Sequence, residues 1–265
     1  MRRFLLSIVL GVCCAAAIAQ QRIDVKLDNT EKPAVMHVFP IAADSTNTHT
    51  AIVLCPGGGY ARLSMSNEGY DWVPFFHSLG ITPIVLEYRM PHGDPTIPVG
   101  DAEKAMRTVR KRAVEWGINP RRVGIMGFSA GGHLASTITV SNDSLVRPDF
   151  SVLFYPVVSM CEDYMHRRSH NELLGDDASE EVNQRYSAER HVSDTTPPVF
   201  LALSGDDRTV YPLNSIRFYE AMLAKNRPCA LHLYPTGRHG WGFRQTFTYH
   251  QQMTSELTAW LQHAL

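Results

Sequence analysis

Gly127-Phe128-Ser129-Ala130-Gly131 forms a G-x-S-x-G pentapeptide directly behind an apolar run, Arg122-Val123-Gly124-Ile125-Met126. That order reads as a strand turning sharply into a helix, with a serine hydroxyl lifted into the open at the turn. Glycine on either side relieves a turn too crowded for a Cβ. A serine hydroxyl is a weak nucleophile at neutral pH. It needs a general base, and the base needs a carboxylate to fix its tautomer and stabilise its cation. Both types follow downstream. Asp206-Asp207-Arg208-Thr209-Val210 comes behind the apolar run Pro198 to Leu203, and either aspartate could serve. His239 stands in Gly237-Arg238-His239-Gly240, behind Ala230 to Tyr234. Acyl transfer also needs donors for its oxyanion, each worth about 2.7–4 kcal/mol of activation free energy. Upstream, Pro56-Gly57-Gly58-Gly59-Tyr60 follows the run Ala51 to Cys55. Gly58 is expected to give one backbone donor, with Gly59 sharing the role, and Ala130 the other. Together these residues specify nucleophilic acyl transfer through Ser129, an aspartate and His239.

The elements that must position them alternate along the chain. Ala51 to Cys55 and Thr82 to Leu86 are continuous apolar runs of the kind covered on both faces. Glu68 to Leu79 reads as a helix closed by Gly80. Asp101 to Trp116 carries Ala102, Ala105, Met106, Val109, Ala113 and Trp116 on one helical stripe. Helices are also expected over Ala130 to Val140, Asn214 to Ala224 and Met253 to Leu265. Phe150 to Val158 reads as a buried strand. The stretch from about Ser159 to Val192 is polar and too long for a bare loop, which makes it a partly helical insertion. The fold class is α/β: a mostly parallel, doubly wound sheet with a small polar insertion after the sixth strand. Reactive groups in such sheets lie beyond the carboxyl ends of the strands, where all the residues above fall.

Other residues have plainer expectations. His133, four after Ser129, is expected to pack in the core. His166 and His170 are spaced i, i+4 with Glu172 close by; a metal site there would need a helix and a third ligand in place, and no metal is expected. No organic cofactor is expected. Tyr60, Trp241 and Phe243 flank the site loops, either as a platform for a sugar ring or as core.

A chain of 265 residues with a formal net charge of −1 gives no electrostatic reason to bind nucleic acid or an anionic membrane. Arg2-Arg3, the apolar Phe4 to Val12 and Ala17-Ile18-Ala19 make the three regions of a signal peptide over residues 1–19. The apolar part is too short for a comfortable membrane span. Bulky Val12 before Cys13 argues against lipoprotein processing. Residues 20–265 are expected to form one domain, secreted or periplasmic, with no membrane span in the mature chain. Cys55, Cys161 and Cys229 remain after cleavage and are expected to be unpaired.

With these residues assembled, the chain resembles the α/β-hydrolase superfamily and, more narrowly, secreted bacterial esterases related to acetylxylan esterases. The resemblance rests on Cys55-Pro56-Gly57-Gly58-Gly59-Tyr60, Glu87-Tyr88-Arg89, Gly127 to Ala135, Leu173-Leu174-Gly175 and Gly237-Arg238-His239-Gly240. It implies an α/β-hydrolase fold, with Ser129 as nucleophile and His239 as base. Related hydrolases carry the acid three residues before a valine, which selects Asp207 over Asp206. Cys55-Pro56 in place of His-Gly favours the carbohydrate-esterase branch over the hormone-sensitive-lipase branch. The implied activity is removal of acetyl groups from acetylated oligo- or polysaccharide, xylan above all. A short-chain carboxylesterase or lipase-like enzyme is the alternative, and a dipeptidyl or prolyl-type peptidase is less favoured. The polar character of Met160 to His191 suits a hydrated sugar better than a lipid.

Overall fold

The computed structural model describes residues 22–41 and 47–264. The signal peptide read over residues 1–19 lies outside them. The strands are β1 (Ile23–Lys26), β2 (Val35–Val38), β3 (Thr50–Cys55), β4 (Ile81–Glu87), β5 (Val123–Phe128), β6 (Ser151–Phe154), β7 (Val199–Ser204) and β8 (Cys229–Tyr234). The helices are α1 (Val73–Ser78), α2 (Thr96–Lys111), α3 (Ser129–Thr139), α4 (Arg167–Leu174), α5 (Glu180–Arg185), α6 (Leu213–Ala224) and α7 (His250–Ala264). The strands make one sheet in the order β1-β2-β4-β3-β5-β6-β7-β8. Pairing is antiparallel through β1, β2 and β4 and parallel from β4 to β8.

Alternation along the buried strands builds two cores. Ala51, Val53 and Cys55 of β3 and Val123 and Ile125 of β5 join Met106, Val109, Leu134, Ile138, Phe218 and Met222 from α2, α3 and α6. Ile52, Leu54, Met126 and Phe128 face the other way, toward Trp72, Phe76, Met253, Leu257 and Leu261, the last three from α7. Among the described residues no helix is long and apolar enough to cross a membrane. Cys55, Cys161 and Cys229 are unpaired, as expected.

Several elements differ from the sequence expectation. β1 leaves little trace in the sequence, because its four residues alternate between partly buried and exposed. The helix expected from Glu68 is shorter. A 3-10 turn covers Tyr70–Trp72 and α1 starts at Val73, with Pro74 in its first turn where a missing N–H costs nothing. Glu68 is thereby left outside any helix and turned inward. α2 starts earlier and stops at Lys111, with Trp116 held in the turns that follow. The strand expected to reach Val158 ends at Phe154, because Tyr155 turns to φ +37° and Pro156 follows. The insertion follows β6 and is partly helical through α4 and α5. It is polar outside but anchored inside by Met160, Leu173 and Leu174.

Candidate active site

β5 runs into α3 at Ser129, whose φ is +54°, a left-handed conformation seldom adopted by a residue with a side chain. The elbow holds because its neighbours have no Cβ. On Gly131 a Cβ would drive into the carbonyl oxygens of Cys55 and Pro56, and on Gly127 into that of Gly131. Ser129 therefore sits at the carboxyl edge of the sheet, nearly buried but open to a cavity of about 290 Å³.

His239 Nε2 lies 2.8 Å from Ser129 Oγ, and His239 Nδ1 lies 2.6 Å from Asp207 Oδ2. A carboxylate can only accept, so Nδ1 carries the proton and Nε2 is left to accept from the serine hydroxyl. Asp207 is itself fixed. It is buried, and its Oδ1 accepts from the N–H groups of Thr209 at 2.9 Å and Val210 at 3.0 Å. Asp206 does something else: its Oδ1 accepts from Arg238 N–H at 2.7 Å and so braces the loop that carries His239. The structure thus brings Ser129, Asp207 and His239 together and leaves Asp206 aside.

Gly58 and Gly59 line the same cavity as Ser129. Gly57 N–H is spent on Glu68 Oε2 at 2.9 Å, whereas the N–H groups of Gly58 and Gly59 donate to no acceptor among the described residues. Ala130 occupies the first turn of α3, where helical N–H groups have no partner of their own. These three N–H groups are free to meet a negative oxygen formed next to Ser129.

Three residues that sequence reading missed hold the loops in register. Buried Glu68 accepts from Gly57 N–H with one oxygen and from Tyr155 O–H at 2.8 Å with the other. Tyr155 O–H in turn accepts from Gly242 N–H at 2.8 Å, and its ring stands edge-on to the His239 ring, centroids 4.9 Å apart. Asn67 Nδ2 donates to Gly240 O at 3.1 Å, and Phe243 N–H donates to Asn67 O at 3.1 Å. The glycine loop and the histidine loop are thereby clasped by one segment, Asn67-Glu68. Burial raises the Glu68 carboxyl above its usual range, against the pull of its two donors.

The remaining motif residues act as supports. Tyr88 O–H donates to Pro56 O at 2.7 Å under the glycine loop, and Arg89 forks onto buried Asp101 at 2.6 and 3.0 Å. His133 is buried. Tyr60 O–H donates to its Nδ1 at 2.8 Å, and its Nε2–H donates to Tyr186 O at 2.7 Å. It therefore packs, as expected, and ties the glycine loop and α3 to the insertion. Burial lowers its pKa to about 4. His170 meets Asn171 and Asn183 instead of converging with His166, and among the described residues no group of side chains is arranged to hold a metal ion. Tyr60 and Trp241 are core, and Phe243 packs on Trp72.

The BD-FAE family model matches residues 39–222. The chain is 46% identical over 215 residues to an acetylxylan esterase of Xylanibacter ruminicola, covering 80% of this chain and 45% of that one. It is 33% identical over 207 residues to endo-1,4-beta-xylanase B of Butyrivibrio fibrisolvens, covering 71% of this chain and 32% of that one. The chain thus spans less than half the length of these two relatives. Among solved structures, the acetyl ester-xyloside bifunctional hydrolase of Caldicellulosiruptor lactoaceticus superposes with a TM-score of 0.84 at 32% identity, over 94% of this chain and 98% of that one. The carboxylesterase Cest-2923 of Lactobacillus plantarum superposes with a TM-score of 0.75 at 21% identity, a likeness of fold. The sheet and its helices are those of the α/β-hydrolase fold.

Proposed function

We propose that this chain, which belongs to the BD-FAE family, is a serine carboxylester hydrolase that removes acetyl groups from plant polysaccharide, xylan or xylo-oligosaccharides. The observation that carries this reading is the hydrogen-bonded line from Asp207 through His239 to Ser129, opening into a cavity beside the glycine loop. Ser129 Oγ attacks the acetyl carbonyl carbon while His239 Nε2 takes the hydroxyl proton. Asp207 stabilises the imidazolium. The carbonyl oxygen becomes an oxyanion and is received by the N–H groups of Gly58, Gly59 and Ala130. Collapse breaks the bond to the sugar oxygen, which leaves with the proton from His239. Water, deprotonated by the same nitrogen, then cleaves the acetyl-serine and releases acetate.

The names of the two relatives and of the bifunctional hydrolase support acetylated xylan as the substrate. The cavity supports it too, since its walls carry Arg62, Ser64, Glu68 and Arg168, polar groups that suit a hydrated sugar better than a long acyl chain. Export to the periplasm or the medium is supported by the charged, apolar and small-residue regions of residues 1–19. The test is acyl-chain profiling against acetate release from acetylated xylo-oligosaccharides. Preference for acetyl over long acyl groups, with release from the sugar, is expected. Hydrolysis of long-chain esters alone would remove the substrate and leave the class of enzyme.

A further inference from the structure

The cavity in front of Ser129 has a charge that deacetylating a neutral sugar does not require. Arg62 follows the glycine loop, Arg168 sits in the first turn of α4, and Arg244 lies behind the histidine loop; all three are exposed and line this one cavity. None of the three side chains makes a hydrogen bond or ion pair with another described residue. Several arginines elsewhere are paired. Arg22 pairs with Asp24, Arg107 with Asp143, Arg190 with Glu162 and Arg217 with Glu220. The cavity's own carboxyl, Glu68, is buried and spends its hydrogen bonds on Gly57 and Tyr155, and of the three only Arg244 lies near enough to feel its charge. His166 adds no charge at neutral pH, because burial, with His239 and Arg168 nearby, lowers its pKa. An adjoining cavity of about 530 Å³ shares His239 and Thr209 and is lined also by Asp206, Arg208 and Arg238. A chain with net charge −1 thus gathers guanidinium groups around His239, and those of Arg62, Arg168 and Arg244 are the unpaired ones in the cavity that holds Ser129.

Guanidinium groups stay charged at any physiological pH and match carboxylates with a planar fork of donors. Clustered without partners they repel one another, so an anion bridging them relieves that cost. We propose that Arg62, Arg168 and Arg244 form a subsite for the carboxylate of a uronate branch, so that the preferred substrate is an acidic acetylated oligosaccharide and not a neutral one. This rests on the esterase reading and specifies the substrate's charge. The serine machinery is untouched by it: the uronate sits on the rim while the acetyl carbonyl faces Ser129.

The test is competition against hydrolysis of a simple aryl acetate, using unacetylated xylo-oligosaccharides of matched length with and without a glucuronate branch. At low salt the acidic oligosaccharide is expected to inhibit about fivefold more tightly than the neutral one, the scale of a few exposed charge pairs. The preference should shrink with added salt and approach unity in Arg62→Gln/Arg168→Gln. Equal inhibition by the two oligosaccharides in the wild type would overturn the proposal. So would free glucuronate or acetate binding as tightly as the branched oligosaccharide, which would mark a bare anion site. Failure of the esterase reading looks different: no acetate is released from any acetylated sugar, while the ranking of the two inhibitors stays measurable with the aryl ester.

Discussion

The two walls of the cavity are built on opposite plans. On the elbow wall, Ser129, Asp207 and Glu68 are buried and their polar atoms are matched by named partners from the glycine loop, the ends of β6 and β7 and the histidine loop. On the exposed rim, Arg62, Arg168 and Arg244 project from loops and from the start of α4, unpaired. A further cavity of about 470 Å³ lies at the opposite edge of the sheet, among Thr48, Gly80, Ile81 and Arg122, and holds no serine–histidine pair. Void size is therefore a poor guide to this molecule. The difference between the walls teaches that the bond-breaking groups are fixed by the sheet, while the groups left to choose the substrate are set by insertions and loops.

Substitutions on the buried wall should be far costlier than any on the rim. Ser129→Ala removes the nucleophile and should lower kcat on an aryl acetate by about 10⁵–10⁶-fold, with unchanged thermal unfolding. Asp207→Asn should cost about 10⁴-fold, because an amide facing Nδ1 favours the wrong tautomer. Asp206→Asn keeps an acceptor for Arg238 N–H and should stay within a few-fold of wild type. Equal losses in the two variants would erase the distinction drawn between these neighbours.

Glu68→Gln puts an amide N–H₂ against either Gly57 N–H or Tyr155 O–H. Either Gly57 N–H or the Tyr155 hydroxyl proton then loses its buried acceptor, worth about 1–3 kcal/mol. If that loss falls on the alignment of the two loops, kcat drops by about tenfold with KM nearly constant. A change confined to KM would place Glu68 with the substrate instead.

The smallest effect concerns stability. His133 has its folded-state pKa lowered to about 4 from an ordinary value of 6.5. Between those values the unfolded chain binds a proton that the folded chain refuses. Stability should therefore fall as pH drops from 6.5 toward 4, by up to about 1.4 kcal/mol per pH unit from this group. Urea midpoints across that window should slope less in His133→Gln than in wild type. Parallel slopes would mean that other groups carry the acid sensitivity.

How much of this was legible beforehand follows from range along the chain. Ser129, His239 and the glycine triplet are local patterns fastened to strand ends, and a strand end is visible as the close of an apolar run. The choice of Asp207 needed the spacing to Val210, whose N–H does bond to Asp207. Glu68, Asn67 and Tyr155 left no such trace. Their partners lie far along the chain, and the long helix expected over Glu68 to Leu79 hid the inward turn. In the sequence Tyr155 falls in the middle of an apolar run that reads as a strand, although its positive φ ends that strand and its hydroxyl meets Glu68. The arginine rim was equally hidden, because positions 62, 168 and 244 meet only once the sheet has brought three loops to one edge.

The account depends most on Ser129 being the nucleophile that His239 activates. The direct measurement is labelling with a serine-directed aryl phosphonate, followed by peptide mass mapping and by acetate release from acetylated xylan on the same samples. One label on the peptide containing Ser129, rising in step with loss of acetate release and absent in His239→Ala, is the predicted result. Full acetate release from protein labelled at Ser129, or inactivation with the label on another residue, would contradict it.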